Sequence, residues 1–170
     1  MALPDTLPEA EGTLLALADR MRGAIAFDAK FVGIYSGGAW IAERLAQLIE
    51  GDHAVGYIDV SFYRDDFSCK GLKPEVKRTE LPFAVEGATI VLIDDVLYTG
   101  RSVRAAVNEL FDFGRPARVE LAVLVDRGGR ELPVEATYAG VRLVVARDLS
   151  IVLSRNGEGN LELGTEASGA

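Results

Sequence analysis

Two adjacent carboxylates stand at the end of a strongly apolar segment of the chain. Asp94 and Asp95 directly follow Thr89-Ile90-Val91-Leu92-Ile93, a run of β-branched and aliphatic residues. Such a run predicts a strand that is buried on both faces, as in parallel sheets. After a short turn, apolar residues recur at helical spacing from Arg101 to Phe113, which predicts a helix.

The turn between this strand and this helix has the composition of an anion site. It contains Thr99, Gly100 and Ser102, so backbone N–H groups and hydroxyls could converge on one small anion. A helix start carries unpaired N–H groups and the positive end of the helix dipole, and glycine lets the backbone approach a ligand. Two carboxylates would repel a bare phosphate but would accept hydrogen bonds from hydroxyls attached to it, such as those of ribose.

A second strand, glycine-rich turn and helix occur earlier in the chain. Phe31 to Tyr35 is apolar, Ser36-Gly37-Gly38 follows, and Ile41, Leu45, Leu48 and Ile49 form an apolar helical face. This turn is a second candidate anion site, although such turns are also common as simple tight connections.

The hydrophobic pattern of the rest of the chain predicts further helices and strands of an α/β fold. We predict a helix whose apolar face runs from Leu14 to Ile25, and a basic loop or lid over residues 64–80. Further strands are predicted at 55–62, 119–125, 134–138, 141–146 and 161–163, with loose ends at 1–12 and 155–170, and His53 in a solvated turn. Strands that alternate with helices predict a right-handed parallel sheet, with ligands at the carboxyl ends of the strands.

The composition limits which classes of protein this chain can belong to. The 170 residues are 49% hydrophobic and 26% charged, which is the size and balance of one globular domain. We expect no membrane span and no signal peptide, and the single Cys69 suits a reducing cytoplasm. With one histidine and one cysteine, any metal should be a hard ion held by oxygens. The net charge of −8 disfavours a broad nucleic-acid surface but leaves room for a local basic patch.

The run from Ile90 to Ser102 resembles the phosphoribosyl-pyrophosphate (PRPP) motif of type I phosphoribosyltransferases. Within it, D-D-V-L-Y-T-G-R-S is similar to the PyrR family, whose members regulate pyrimidine operons and act as uracil phosphoribosyltransferases. Other stretches that resemble this family are S-F-Y-R-D-D-F-S at 61–68, N-E-L-F-D-F-G-R-P at 108–116, L-A-V-L-V-D-R-G at 121–128 and R-E-L-P at 130–133. The resemblance implies a five-stranded parallel core flanked by helices, with a small hood and a flexible lid loop.

The resemblance also implies roles for individual residues. Asp94 and Asp95 would bind the ribose hydroxyls, and Arg64 on the lid would reach the leaving pyrophosphate. The phosphate and the rest of the substrate would contact Val96, Leu97, Tyr98, Thr99, Gly100, Arg101 and Ser102, the pyrophosphate loop Tyr35, Ser36, Gly37 and Gly38, and Asp126 and Arg127. Mg²⁺ would enter with PRPP, near Asp94 and Asp95 but with no direct protein ligand assigned, and the protein would form a homodimer or a larger homo-oligomer.

Three functions remain open at this point. The first is conversion of uracil and PRPP to UMP and pyrophosphate; the second is a UMP-sensing regulator that binds an mRNA leader. The third is a phosphoribosyltransferase for another base, although purine-salvage relatives have an Asp where this chain has Tyr98. The pyrophosphate loop lacks the basic residues of better-known PyrR proteins, so turnover could be slow.

Overall fold

The computed structural model describes residues 6–61 and 78–169. These residues form three helices and seven strands. In chain order they are α1 (Ala10–Met21), β1 (Lys30–Ile34), α2 (Gly37–Leu48), β2 (Val55–Ile58), β3 (Thr89–Leu97), α3 (Arg101–Asp112), β4 (Arg118–Asp126), β5 (Tyr138–Arg142), β6 (Leu149–Arg155) and β7 (Leu161–Ala167).

The first five strands form one parallel sheet in the order β2-β1-β3-β4-β5. The strand order reverses direction between β1 and β3, which are hydrogen-bonded neighbours with Val32 paired to Leu92. In open parallel sheets, ligands bind at the carboxyl ends of the strands beside such a reversal. The predicted fold class is confirmed, and its topology marks the ends of β1 and β3 as the place for a site.

β3 is buried because helices cover both faces of the sheet. On one face α1 and α2 pack over Val91 and Ile93, and on the other α3 packs over Ile90 and Leu92. All four of these side chains are fully buried. Alternate residues of a strand point to opposite faces, so a strand between two layers must be apolar throughout.

β6 and β7 form a separate antiparallel hairpin that closes over the α1 and α2 side of the sheet. Its inner residues Ile151, Leu153 and Leu161 belong to the same buried cluster as the α1 and α2 side chains. We call residues 143–167, the connection from β5 together with this hairpin, the hood.

The expectation of a loose end at 155–170 was wrong. Residues Asn156 to Asn160 form a tight turn in which the Asn156 Oδ1 accepts hydrogen bonds from the backbone N–H of Glu158 (3.0 Å) and Asn160 (3.0 Å). This turn returns the chain into β7, which then pairs along the whole of β6.

Other boundaries also differ from the predictions. The two short strands predicted at 134–138 and 141–146 are one strand, β5, and the strand predicted at 55–62 ends at Ile58. The first helix begins inside the predicted lead-in, at Ala10, and ends at Met21. His53 is only partly exposed, because its ring stacks on Phe31 (centroids 4.4 Å apart) and its Nδ1 lies 2.7 Å from the Ala29 carbonyl oxygen.

In the described ranges, no helix combines the length and apolar character that crossing a bilayer would require.

Candidate active site

The acid pair lies at the carboxyl end of β3, and both residues are buried: Asp94 is 4% exposed and Asp95 8%. One oxygen of each carboxylate accepts a hydrogen bond from the next backbone N–H. The Asp95 N–H donates to Asp94 Oδ1 (2.9 Å), and the Val96 N–H donates to Asp95 Oδ1 (2.8 Å). Buried carboxylates need such donors, and these bonds also fix the direction of both groups.

The glycine-rich turn after β1 packs directly against this acid pair. A Cβ atom at Gly37 would lie 2.4 Å from Asp95 Oδ2, and one at Gly38 would lie 2.4 Å from the Ile93 carbonyl oxygen. A side chain at residue 38 would collide with backbone, and one at residue 37 would force the Asp95 carboxylate to move. The two turns that the sequence analysis identified separately therefore form one site.

The same turn leads into α2. The Tyr35–Ser36 peptide bond is cis. Ser36 is the residue before the first turn of α2, and its carbonyl oxygen accepts hydrogen bonds from the backbone N–H of Ala39 (3.1 Å) and Trp40 (3.4 Å). The predicted pyrophosphate loop thus leads into a helix N-terminus, which favours an anion.

The turn after β3 has the form of a phosphate cradle. Gly100, at the N-terminus of α3, has φ +95°, a left-handed conformation that glycine adopts without strain. Thr99 is buried, and its hydroxyl oxygen accepts from the Arg101 N–H (3.3 Å). Ser102, in the first turn of α3, is half-buried.

Three of the predicted binding residues direct their side chains away from the end of β3. The side chains of Val96 and Leu97 pack into the two apolar clusters on opposite faces of the sheet. Arg101 is exposed and pairs with Glu131 (2.9 Å).

Asp126, at the end of β4, is held by two arginines. Arg130 donates to both carboxylate oxygens at 2.8 Å, and Arg142 donates to Oδ2 at 2.7 Å. Asp126 is buried, with 4% of the residue exposed. A carboxylate that is held this fully organises the residues after β4, and the predicted contact of Asp126 with substrate stays a prediction.

Arg127 is buried beside Tyr98. Its guanidinium lies 4.0 Å above the Tyr98 ring, and its Nη atoms donate to carbonyl oxygens of the hood. Burial lowers the pKa of the Arg127 guanidinium from its ordinary value. This link between the phosphate turn and the hood was not anticipated from the sequence.

Arg130 holds the segment after β4 against Tyr98, and the sequence analysis did not single it out. Besides its bonds to Asp126, it donates through Nη1 to the Tyr98 carbonyl oxygen (2.9 Å) and through Nε to the Val134 carbonyl oxygen (2.8 Å). The signal was the D-R-G-G-R pattern at 126–130, in which an acid and a base stand four residues apart after a buried strand.

The outer end of the pyrophosphate loop is lined by tyrosines. The Tyr35 ring stacks on Tyr57 (centroids 5.3 Å apart), and the Tyr57 hydroxyl donates to Glu43 (2.7 Å). Burial, followed by the hydrogen bond to Glu43, raises the pKa of Tyr57 to about 12. Burial and nearby carboxylates also raise the pKa of Tyr35. Both phenols are therefore neutral hydrogen-bonding groups at physiological pH.

Arg64, Cys69 and most of the predicted basic lid (residues 64–77) fall outside the described residues. Within the described residues, no group of three or more His, Cys, Asp or Glu side chains could hold a metal ion by itself. The carboxylate oxygens of Asp94 and Asp95 are nevertheless the ligand type that Mg²⁺ prefers. The donor set at the end of β3 therefore fits an Mg²⁺ ion that is brought in by a polyphosphate.

Comparison with solved structures agrees with this fold. A hypoxanthine-guanine phosphoribosyltransferase from Bacillus anthracis aligns with a TM-score of 0.65 at 18% identity, covering 88% of each chain. A hypoxanthine phosphoribosyltransferase from Staphylococcus aureus aligns with a TM-score of 0.61 at 21% identity, covering 86% of this chain and 81% of its own. The phosphoribosyl transferase domain family matches residues 16–152. The fold and the site therefore define a type I phosphoribosyltransferase.

Sequence comparison narrows the class. The bifunctional protein PyrR of Ralstonia nicotianae is 55% identical over 143 residues, which cover 84% of this chain and 82% of that protein. The bifunctional protein PyrR of Pseudomonas syringae pv. syringae is 53% identical over 127 residues, covering 75% of each. The chain belongs to the PyrR family, as the motif from Asp94 to Ser102 predicted.

Proposed function

We propose that this protein transfers the ribose 5-phosphate group of PRPP to uracil, giving UMP and pyrophosphate, and that the same pocket binds UMP as a regulatory signal. The observation that carries the proposal is the contact between Gly37 and Asp95. It brings a ribose-binding acid pair, a phosphate cradle and a second anion turn to one edge of the sheet, as PRPP requires.

The site residues suit the charges that develop in this reaction. The bond between ribose C1 and the pyrophosphate oxygen breaks as the uracil nitrogen attacks C1, so positive charge develops on the sugar. Asp94 and Asp95, fixed by backbone N–H groups, hold the ribose hydroxyls and stabilise that charge. The amides of residues 99–102 hold the 5-phosphate, and the turn at 35–38 receives the leaving pyrophosphate. Mg²⁺ bound with PRPP supplies positive charge to the pyrophosphate.

Tyr98 favours a pyrimidine over a purine as the accepting base. Purine-salvage relatives have an Asp here that handles the proton of the base, whereas this ring is covered by Arg127. The uracil N–H is acidic enough to lose its proton with less help from a general base than a purine needs. No other general base is assigned, and Arg64 remains our candidate for the lid residue that contacts pyrophosphate.

The regulatory half of the proposal rests on the family name and not on a visible RNA surface. Arg20 donates to the Ala139 carbonyl and Arg22 pairs with Asp19, so both face their own chain. The cations at 70–77 lie outside the described residues. We propose an mRNA leader as the second partner, a homodimer or larger homo-oligomer as the assembly, and the cytoplasm as the location.

Calorimetric titration of UMP, GMP, PRPP and uracil, combined with turnover assays with Mg²⁺, tests the proposal. We expect UMP to bind more tightly than GMP, and uracil to be consumed with PRPP faster than hypoxanthine or orotate. Faster use of either other base would contradict the assigned specificity. UMP binding without turnover would contradict the catalytic part of the proposal and support only the sensing role.

A further inference from the structure

Arg127 carries a buried positive charge that stability alone does not explain. Its side chain is 4% exposed, and its hydrogen bonds in the described part of the chain go to backbone carbonyls. Its Nε is also buried and has no partner among the described residues. Burying a cation opposite neutral groups is costly, and an apolar side chain of similar length would avoid that cost.

The guanidinium joins two segments that are distant in sequence. Nη1 donates to the Leu149 carbonyl oxygen (2.6 Å) and Nη2 to that of Ala146 (3.0 Å), both in the hood. The same group lies over the ring of Tyr98 in the phosphate turn, with its central carbon 4.0 Å from the ring centre. A planar fork of donors suits this geometry, because it can stack on a ring and still reach two carbonyls.

Tyr98 is restrained from a second direction. Gly129 has φ +77°, and a Cβ atom there would lie 2.5 Å from Tyr98 Cε2. The Tyr98 ring therefore lies against both the backbone of Gly129 and the guanidinium of Arg127, while the Tyr98 carbonyl accepts a hydrogen bond from Arg130.

The hood lies where the base of a bound nucleotide has to go. β6 contacts β3, and Val96, next to the acid pair in sequence, packs in the same cluster as Ile151 of the hood. A nucleotide with its phosphate at 98–102 and its ribose at the acid pair directs its base away from the phosphate, towards the hood.

We propose that Arg127 is a positioning residue that fixes the hood loop 143–149 to Tyr98 and so sets the shape of the base-binding part of the site. This inference rests on the proposed function, since it assumes that a uridine nucleotide occupies the pocket. Arg127 acts through Tyr98 and the loop, and it does not need to contact the base. Geometric errors of about 1 Å in such a site reduce activity by roughly 10²-fold.

The test separates binding of the base from binding of the sugar phosphate. The affinities of UMP and ribose 5-phosphate are measured by calorimetry for the wild type, Arg127→Met and Arg127→Lys. Their ratio isolates the contribution of the base. We expect the ratio to fall about tenfold in Arg127→Met, equivalent to ~1.4 kcal/mol, with ribose 5-phosphate affinity unchanged. Arg127→Lys keeps the charge but loses the planar fork of donors, so its affinity ratio should lie between those of the wild type and Arg127→Met. This variant also keeps the test valid if Arg127→Met does not fold.

Arg44→Met is the matched control. Arg44 supports the far side of the hood through Glu11, whose carboxylate also accepts from the Leu161 N–H, and it lies away from Tyr98. We expect it to lower the Tm without changing the ratio. A ratio that is unchanged in both Arg127 variants, or lowered equally by Arg44→Met, would overturn the inference. A wild type that does not prefer UMP over ribose 5-phosphate would instead refute the proposed function.

Discussion

The α-carbon of Gly37 faces the carboxylate of Asp95 so closely that a methyl group at residue 37 would lie 2.4 Å from Asp95 Oδ2. Gly37 opens α2 and Asp95 lies at the end of β3, so this contact joins the two anion turns. The position of the acid pair is therefore set by a residue that comes almost 60 positions earlier in the chain.

Gly37→Ala should displace the Asp95 carboxylate and weaken PRPP binding by about tenfold or more, because correctly placed groups contribute steeply to binding and rate. The matched control is Gly12→Ala in α1, where a Cβ atom meets only Glu9 Oε2 at 3.5 Å. That change should raise stability by about 0.5–1 kcal/mol and leave PRPP affinity as it was. Calorimetry and thermal unfolding of both variants measure the two effects, and normal PRPP affinity in Gly37→Ala would disprove the steric coupling.

Replacing Asp94 and Asp95 together with Asn should preserve the fold and weaken ribose recognition. The Asn side-chain oxygen can still accept from the next backbone N–H, as Oδ1 does now. The NH₂ group that replaces the second oxygen cannot accept from a ribose hydroxyl. Circular dichroism checks the fold and calorimetry the affinity for PRPP and UMP; wild-type affinity in the double variant would remove the central claim about the site.

Trp40, the one tryptophan of the chain, should report on the pyrophosphate turn. It lies in the first turn of α2, and Arg155 of the hood stacks on its ring at 4.3 Å. We expect PRPP with Mg²⁺ to change its fluorescence more than ribose 5-phosphate does, because only PRPP carries a pyrophosphate group. Equal fluorescence responses to both ligands would place the pyrophosphate elsewhere. The Arg155→Met variant gives the reference fluorescence of Trp40 without the arginine over its ring.

Glu11 should make stability depend on pH in the acid range. Hydrogen bonds from Arg44, and then from the Leu161 N–H, lower the pKa of Glu11 from its ordinary value of 4.5. Its contribution is therefore complete above that value and is lost as the pH falls through the lower, folded pKa. Glu11→Gln should cost about 1–2 kcal/mol at pH 7 and progressively less in acid. Urea unfolding at several pH values measures the free energy of unfolding of each variant. The control Glu50→Gln, at an exposed carboxylate, should not lower it. A loss of stability in Glu11→Gln that is the same at every pH would show that the charge of Glu11 is unimportant.

RNA binding should be weak unless the cations outside the described residues collect on one surface. The chain has 26 acidic and 18 basic residues, and Arg20 and Arg22 contact their own chain. Binding through about six phosphates should fall by roughly 10³-fold between 50 and 200 mM salt. Filter binding of a uridine-responsive leader RNA, with and without UMP, measures it. Tight binding that UMP strengthens and that reversal of both arginines to Glu abolishes would make regulation the primary role.

The parts of the site that depend on local pattern could be predicted from the sequence. The strand, turn and helix around Asp94 and Asp95 have a clear periodicity, and the order of elements gave the parallel sheet. The contact of Gly37 with Asp95 could not be predicted, because it depends on which strands become neighbours. The support that Arg127 and Arg130 give to Tyr98 was missed for a similar reason, since it joins segments that are distant in sequence through backbone carbonyls and a ring contact.

The error in β5 has a specific cause. Gly140 stands in the gap between the two predicted segments, and an isolated glycine in a strand often marks a bulge or a close approach of another part of the chain. It lies inside β5 because α1 crosses there: a Cβ atom would lie 2.8 Å from Thr13 Cγ2 and 2.6 Å from the Leu124 carbonyl oxygen. The hairpin of β6 and β7 was detectable, since Asn156-Gly157 stands between two alternating segments.

The hood has two surfaces with different freedom to change during evolution. Ile151, Leu153 and Leu161 are part of the main core, so replacing any of them with a small residue should cost about 2–5 kcal/mol. Val144, in the loop before β6, is 52% exposed and can vary at little cost. New base preferences in this family should therefore arise first by substitution in the loop, while the inner face of the hairpin stays apolar. A library confined to 143–148 should accordingly yield more folded variants than one spread over β6.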